Sequence, residues 1–323
     1  MTEFQLTING RDYDARLGER LSDVISRHGV SFPHHCLSGY CEGCRVQLNS
    51  GSVNDHGTNL RRRIIPCQST IAGNADISFD PSPKPSNLRG HIERIDRIGE
   101  VVKQLTVTFE KPISWIPGQY FQLESRGTTA ANVYPCFSLG GRTEFSSLCF
   151  IIEKQANPTM FAEIQQDKLR NGKACRIKGP YGTSFLRREE ERLVCIAGPT
   201  GFASFWAIAV SATFGLANRE KILVLDESYN TPSFLEAVNW MQSHKLDFRF
   251  VDLAGQSEPQ FQQNLLQTLP DLNEFDVIHA SGNADFMQNI KQATDSQKPC
   301  LHLLPLGEKI ENLCLNTLVA HEY

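Results

Sequence analysis

Short alternating runs of hydrophobic and polar residues open the chain and predict a small sheet. EFQLTI and DYDARL, within residues 3–17, are separated by Asn9-Gly10, a pair that favours a two-residue hairpin turn. Ser22 is the expected cap of a helix that runs to His28, and the strand-like runs RVQLNSG and DISFD follow an aperiodic loop. Two strands, one helix and further strands predict a small α+β domain over residues 1–80.

The hydrophobic pattern changes twice in the rest of the chain. Runs such as VVKQLTVTFE, YFQLES and ACRIKG, separated by Gly and Pro, predict an antiparallel β-barrel over residues 88–188. From residue 189 onward, LVCIA, KILVLD, FRFVD, FDVIHA and LHLLPL are spaced widely enough to hold helices between them, as in a parallel α/β sheet. Residues 81–87 contain prolines and no periodicity, so we expect a linker there between the first domain and the barrel.

Composition narrows the class of protein. A chain of 323 residues, with 40% hydrophobic and 21% charged residues, is a globular protein too long for one core. A net charge of -4 leaves no broad cationic surface, which argues against nucleic acid as a partner. We see neither a signal-peptide pattern nor an apolar run long enough to span a membrane, so we expect a cytoplasmic protein with no membrane span. In that reducing compartment the ten cysteines are expected to be free thiols or metal ligands.

Four of the cysteines have the spacing of a plant-type [2Fe-2S] site. Cys36, Cys41 and Cys44 form a C-x4-C-x2-C pattern, and Cys67 follows further along the chain. A four-cysteine zinc site is the alternative, but such sites usually have two C-x2-C pairs and this chain has one. His34 and His35 suggest a Rieske centre, yet all four cysteine positions are filled, so we interpret them as loop residues.

The order of these parts resembles the oxygenase-type reductases over essentially the whole chain. WIPGQY at 115–120 is similar to the PGQY turn of that family, GPYGTSF at 179–185 to its GPxGxF element, and AGPTG at 197–201 to its GGTG loop. In this family, which includes the benzoate dioxygenase, phenol hydroxylase and CDP-6-deoxyglucoseen reductases, a β-grasp ferredoxin domain precedes a flavin barrel and a nicotinamide domain. The resemblance implies that NADH passes electrons through FAD and the cluster to an oxygenase or another metalloenzyme.

The resemblance also implies site residues, which we take over position by position. Those at the flavin are Tyr120, Phe137, Ser138 and Thr159. Those at the nicotinamide nucleotide are Gly198, Thr200, Gly201, Asp226, Ser281 and Gly282. Ser138 and Ser281 are expected to lie nearest the reacting atoms and are the predicted catalytic residues.

Three positions depart from the pattern of the family. Pro135 stands where the flavin motif RxYS has its arginine, Asn157 to Phe161 replace a GxxS helix start, and Ser281 replaces the cysteine of a CGP segment. Losing one charge-assisted bond to phosphate costs about 1.5–3 kcal/mol. A non-enzymatic iron-sulfur subunit, with a reductase-like half that serves as a docking scaffold, is therefore the alternative to an active reductase.

Two charged features bear on cofactor and partner. Asp226 ends the strand-like run KILVLD, where a carboxylate suits a ribose 2'-hydroxyl and repels a 2'-phosphate, which predicts NADH rather than NADPH. The alternative is that Asp226 caps a turn. The run 61–63, three arginines, either guides an acidic partner or forms an ordinary solvated surface.

Overall fold

The computed structural model describes residues 3–33, 44–80, 83–136, 145–182, 184, 192–215, 220–274, 276–297 and 299–305. These residues form two compact units, one within residues 3–80 and one within residues 83–305. Two of the cluster cysteines, Cys36 and Cys41, lie outside the described residues, as do Phe137 and Ser138 of the flavin motif.

The first unit is the predicted β-grasp domain, whose described residues form a five-stranded sheet and one helix. Its order is β2-β1-β5-β3-β4, with β1 and β5 parallel and the other pairs antiparallel. The predicted hairpin turn is present, and Asn9 and Gly10 both have positive φ. The elements are β1 (Glu3–Ile8), β2 (Arg11–Arg16), α1 (Leu21–Arg27), β3 (Val46–Asn54), β4 (Arg63–Ile64) and β5 (Thr70–Ser78).

The start of α1 differs from the prediction. Arg20 occupies the N-cap and makes no side-chain capping bond, whereas Ser22 is buried inside the helix and its hydroxyl donates to Asp23. The helix is held by tertiary packing instead, because Leu21, Val24 and Ile25 lie in the core of this unit. Predicting the cap from Ser22 alone was wrong for that reason.

The second unit begins with the predicted antiparallel barrel, which is closed. Its strand order is β10-β7-β6-β11-β8-β9, so the ladder has no open edge. Phe121, Phe150 and Phe161 fill its core. The barrel elements are β6 (Ser86–Arg97), β7 (Val102–Ile113), β8 (Tyr120–Ser125), β9 (Ala131–Pro135), β10 (Phe145–Glu153), α2 (Pro158–Gln165) and β11 (Ala174–Tyr181).

Two details of the barrel go beyond the sequence patterns. β9 is five residues long and its sequence, ANVYP, gave no alternating signal, yet it closes the barrel between β8 and β10. β6 begins at Ser86, inside the segment 81–87 that was predicted as a linker.

The remainder of this unit is the predicted parallel α/β sheet, in the order β14-β13-β12-β15-β16. All strand pairs are parallel, and the order in which successive strands are added to the sheet reverses between β12 and β15. The crevice at the carboxyl ends of the two strands at such a point is the usual ligand site of an open α/β sheet. The elements are β12 (Arg192–Ala197), α3 (Phe202–Gly215), β13 (Glu220–Asp226), a 3-10 turn (Glu227–Tyr229), α4 (Pro232–Ser243), β14 (Asp247–Val251), α5 (Glu258–Thr268), β15 (Val277–Gly282), α6 (Ala284–Thr294) and β16 (Cys300–Pro305). Across the described ranges, none of the helices has the length and apolarity needed to cross a membrane.

Candidate functional sites

Two of the four predicted cluster ligands meet in the core of the first unit. Cys44 precedes β3 and Cys67 lies between β4 and β5, and they are 2% and 1% exposed. Their sulfur atoms are 3.5 Å apart. Two thiolates on one tetrahedral metal, with bonds of about 2.3 Å, stand about 3.8 Å apart. The pair is therefore within a few tenths of an ångström of the spacing expected for a shared iron.

An arginine ties the neighbouring loop to the strand that follows Cys44. Arg45 is buried, and its Nη1 donates to the carbonyl oxygens of Thr58 at 2.7 Å and Arg63 at 3.0 Å. The loop it holds carries Arg61 and Arg62, which are exposed and both have positive φ, an uncommon conformation for residues other than glycine. The arginine run is thus anchored beside the cluster residues rather than on a freely hanging loop.

The turn that resembles PGQY is joined to the segment that resembles GPxGxF. Gly118 has a φ of 102°, and a β-carbon there would overlap the carbonyl oxygen of Ser184. The side chain of Gln119 accepts the N–H of Ile116 at 2.9 Å and donates to the carbonyl of Gly182. Close packing of the two segments therefore requires glycine at position 118.

Tyr120, the predicted flavin residue of this turn, lies in a cluster of tyrosines. Its ring is 5.7 Å from those of Tyr134 and Tyr181, and burial raises the pKa of its hydroxyl to about 12. The hydroxyl of Tyr134 is buried and has no hydrogen-bond partner within the described structure. A buried unsatisfied hydroxyl is costly, so this one is available to a ligand.

The positions that depart from the flavin motif have clear structural surroundings. Pro135 is buried at the end of β9 and pairs with Phe150, whose ring belongs to the barrel core. Thr159 is exposed in the first turn of α2, which has Pro158 at its start and no side-chain cap. The first-turn amides of α2 are thus open to a ligand. Position 135, where the family has its arginine, has apolar surroundings in this chain.

The predicted nucleotide residues meet at the carboxyl ends of β12 and β15. The Gly198 N–H donates to the carbonyl of Ser281 at 2.8 Å, and the Ser281 hydroxyl donates to the carbonyl of Gly201, also at 2.8 Å. Pro199 and Thr200 are half-buried and therefore form the accessible part of the loop. The structure brings the glycine loop and Ser281 together, with the hydroxyl of Ser281 turned toward that loop.

Both strand ends are packed against one aromatic ring. A β-carbon at Gly198 would lie 2.9 Å from the ring of Phe286, and one at Gly282 would lie 2.6 Å from it. Real β-carbons essentially never approach so closely. These glycines allow α6 to lie directly beneath the crevice.

Substituting Gly201 with alanine should disturb this arrangement directly. The new β-carbon would overlap the carbonyl of Ser281 and lie 2.5 Å from its hydroxyl oxygen. Overpacking of this kind costs about 1–3 kcal/mol when the backbone stays in place, so the loop must shift away from Ser281. Because the shifted loop would no longer fit the phosphates, we expect G201A to weaken ADP-ribose binding about tenfold or more, measured by calorimetry. G73A is the control, because its β-carbon would meet only Ser52 at 3.4 Å. Unchanged affinity in G201A would contradict a role for this loop in nucleotide binding.

Asp226 lies at the end of β13, where it caps the following turn. It is 1% exposed, and its two carboxylate oxygens accept the N–H groups of Ser228 at 3.0 Å and Leu253 at 3.1 Å. The hydrogen bonds expected of the turn-capping alternative are thus present. The exposed carboxylate at this strand end belongs to the next residue, Glu227.

A buried carboxylate that the sequence analysis did not single out connects the barrel to the parallel sheet. Glu153, at the end of β10, is 3% exposed and accepts the N–H of Ala203 at 2.9 Å and the hydroxyl of Tyr229 at 3.0 Å. The Tyr229 oxygen in turn accepts the N–H of Phe202 at 3.1 Å. Burial raises the pKa of Glu153 to about 7. In the sequence, the available sign of this buried carboxylate was one glutamate at the end of the apolar run SLCFII.

Comparison with known proteins agrees with the domain order. Residues 6–72 match the family model of the 2Fe-2S iron-sulfur cluster binding domain. The chain is 27% identical over 223 residues to the ferredoxin–NAD(P)(+) reductase component of the naphthalene 1,2-dioxygenase system of Pseudomonas putida, covering 65% of this chain and 66% of that protein, just under two thirds. It is also 27% identical over 230 residues to the ferredoxin–NAD(+) reductase component of the alkene monooxygenase system of Xanthobacter autotrophicus, covering 64% and 68%.

A solved structure extends the likeness of the fold. The ferredoxin reductase in carbazole 1,9a-dioxygenase, in its FAD apo form, superposes with a TM-score of 0.56 and 20% identity, covering 94% of this chain and 98% of that one. At this identity the likeness shows the fold alone. The fold of this chain comprises a β-grasp domain, a closed barrel and a parallel sheet, as predicted.

Proposed function

Because this chain is a homologue of the reductase components of oxygenase systems, we propose that it is an NADH-dependent oxidoreductase that passes electrons through FAD and a [2Fe-2S] cluster to an oxygenase or another metalloenzyme. The observation that carries the proposal is the buried pair Cys44 and Cys67, 3.5 Å apart, within the match to an iron-sulfur binding domain. Cys36 and Cys41 complete the ligand set by their spacing. The reducing cytoplasm, expected from the sequence, would keep all four as thiols until the cluster is inserted.

Residues of the barrel are proposed to hold FAD. Phe137 would lie against the ring with Tyr120 nearby, Ser138 would donate to it, and the open amides beside Thr159 would bind phosphate. The unsatisfied Tyr134 hydroxyl fits a polar ligand in this region. When bound, FAD would accept a hydride and release its two electrons singly, as the cluster requires. With Pro135 in place of arginine, we expect FAD affinity to be about tenfold to a hundredfold lower than with the charge-assisted bond.

The crevice between β12 and β15 is proposed to bind NADH. The loop with Gly198, Thr200 and Gly201 would hold the phosphates, while Gly282 leaves space at the end of β15. Ser281 would keep the loop in place beside the nicotinamide through its bond to Gly201. Residues 226–230 contain two carboxylates and no basic residue, which supports NADH over NADPH.

One observation keeps the non-enzymatic alternative in view. Pro135 is buried opposite Phe150, so the place of the flavin arginine is filled by apolar packing. A chain that no longer binds FAD would retain this fold and its cluster while acting as a docking subunit.

An anaerobic titration separates the two functions. The purified full chain is incubated with excess FAD, NADH is added, and cluster reduction is followed by visible absorption and electron paramagnetic resonance. Reduction that depends on both FAD and NADH supports the reductase. A cluster that dithionite reduces but NADH with FAD does not would support the docking subunit instead.

The arginine run is proposed to receive an acidic face of the electron acceptor. Arg61 and Arg62 are exposed on the loop that precedes β4, six and five positions before Cys67. Oppositely charged surfaces speed association most when they surround the site of electron exit. Because the two arginines lie on this loop, the partner that fits them is an electron acceptor with an acidic face.

Reversing these two charges should change how charged oxidants take electrons from the cluster. We expect R61E/R62E to slow cluster oxidation by the anion ferricyanide and speed oxidation by the cation hexaammineruthenium(III), each about threefold or more at low salt, with the difference fading at high salt. R11E/R16E is the control, since β2 lies at the opposite edge of the sheet from β4 and the net charge change is equal. Equal effects of both variants in stopped-flow measurements would contradict a local role.

A further inference from the structure

The start of α3 is already occupied by groups of the protein itself. The first N–H groups of a helix lack intrahelical partners and carry its positive end. Here the Phe202 N–H donates to the Tyr229 hydroxyl and the Ala203 N–H donates to the carboxylate of Glu153. In folds of this class the helix after the first strand presents these groups to the pyrophosphate of a dinucleotide. In this chain the carboxylate of Glu153 already accepts one of these N–H groups.

We propose that Glu153 is a positioning residue that fixes the first turn of α3 to the barrel and, when ionised, weakens the binding of dinucleotide phosphates at the loop of residues 198–201. This inference rests on the proposed function, because it assumes that the loop binds NADH. Glu153 comes from β10, so its carboxylate ties α3 to the barrel, while Pro199 and Thr200 of the loop remain half-buried. A negative charge placed there offsets the positive end of α3 that a phosphate would otherwise meet.

Among the described residues, no cationic side chain pairs with the carboxylate of Glu153, whose bonds are to Ala203 and Tyr229. On β7 the residue opposite is Val102, and α3 contains no ionisable side chain. The 3-10 turn presents Tyr229, with Asp226 just before it. Burial raises the pKa of the Tyr229 hydroxyl, and the charges of Glu153 and Asp226 raise it further. Lys103, the next residue of β7, lies over the ring of Phe161, and Cys149 lies four residues earlier on β10. Since burial raises the pKa of Glu153 to about 7, its charge changes within the physiological range.

The dependence of nucleotide affinity on pH tests the proposal. Calorimetry measures ADP-ribose binding to wild type, E153Q and E163Q at pH 6 and pH 8, with adenosine as a ligand that lacks phosphate. Glutamine keeps the size of the side chain and an oxygen for the Ala203 N–H while removing the charge. We expect E153Q to bind ADP-ribose about tenfold tighter than wild type at pH 8, with the difference shrinking at pH 6 and adenosine unaffected.

The control and the contrary outcomes keep this inference separate from the proposed function. Glu163 is also a buried carboxylate of the barrel that accepts one backbone N–H, from Thr129 at 2.9 Å, so E163Q should bind as wild type does. Equal or weaker binding by E153Q at pH 8, with ADP-ribose still bound by wild type, overturns the inference and leaves the proposed function standing. If neither protein binds ADP-ribose at either pH, the inference and the use of NADH both fail.

Discussion

Replacing Cys67 with serine is expected to remove the [2Fe-2S] cluster and to stop electron delivery to any acceptor that takes electrons from it. Cys67 and Cys44 are buried with their sulfur atoms 3.5 Å apart, so each contributes to one compact donor set. A serine hydroxyl has a far higher pKa than a thiol and is a much poorer ligand for iron than a thiolate. We expect bound iron and acid-labile sulfide to fall from about two per chain to near zero.

The same variant separates the cluster from the rest of the electron path. With FAD supplied, C67S should still reduce ferricyanide with NADH, because the proposed flavin and nucleotide residues lie in the other compact unit. C175S is the matched control, since Cys175 is a buried core residue of the barrel and no predicted ligand. A C67S protein that retains the iron, the sulfide and the paramagnetic signal of the reduced cluster would refute the ligand assignment.

The second large effect expected is on stability, in the variant E153Q. Burial raises the pKa of Glu153 from its ordinary 4.5 to about 7, so the folded protein holds a proton that the unfolded chain releases between these values. The stability of the wild type should therefore fall as the pH rises from 4.5 to 7, by about 3 kcal/mol in total, and stay reduced above pH 7. Glutamine does not titrate and escapes this loss.

Below pH 7 the protonated Glu153 resembles glutamine, because each has one carbonyl oxygen that accepts and one group that donates. E153Q should thus have nearly the same stability as wild type at pH 5 and be more stable at pH 8, a difference that Tm measurements across this range would show. E163Q controls for removing a buried carboxylate elsewhere in the barrel. Parallel curves for E153Q and wild type would rule out a titrating Glu153.

The parts of the fold that follow from local pattern were predictable. The hairpin at Asn9-Gly10, the alternating barrel strands and the apolar parallel strands each have a period or turn that a sequence displays. The proposed cluster ligands follow from spacing, because four thiolates must converge on two irons. At the proposed nucleotide site, the glycines were predictable because close approach of the backbone leaves no room for a side chain.

What the sequence did not show depends on contacts between distant segments. β9 was missed because its five residues are fixed by pairing with β8 and β10 rather than by their own pattern. Glu153 shows no local sign that its partners are Ala203 and Tyr229, 50 and 76 positions away. Ser22 offered a local cap signal that burial of Leu21 and Val24 overrode. In each case a neighbour remote in sequence decided the outcome.

The ring of Phe286 makes three positions of the crevice dependent on one another. It sits against both Gly198 and Gly282, and it also packs edge-to-face with the ring of Phe261, with centroids 5.6 Å apart. A methyl group at either glycine therefore requires a smaller side chain at position 286 or a displaced ring, and the ring cannot move without displacing Phe261. Mutations here should be epistatic: alanine at Gly282 is damaging alone, yet partly tolerated once Phe286 has become leucine. Evolutionary change at these positions would then proceed by paired replacements. The order of the two substitutions would decide whether the variant with only one of them is tolerated.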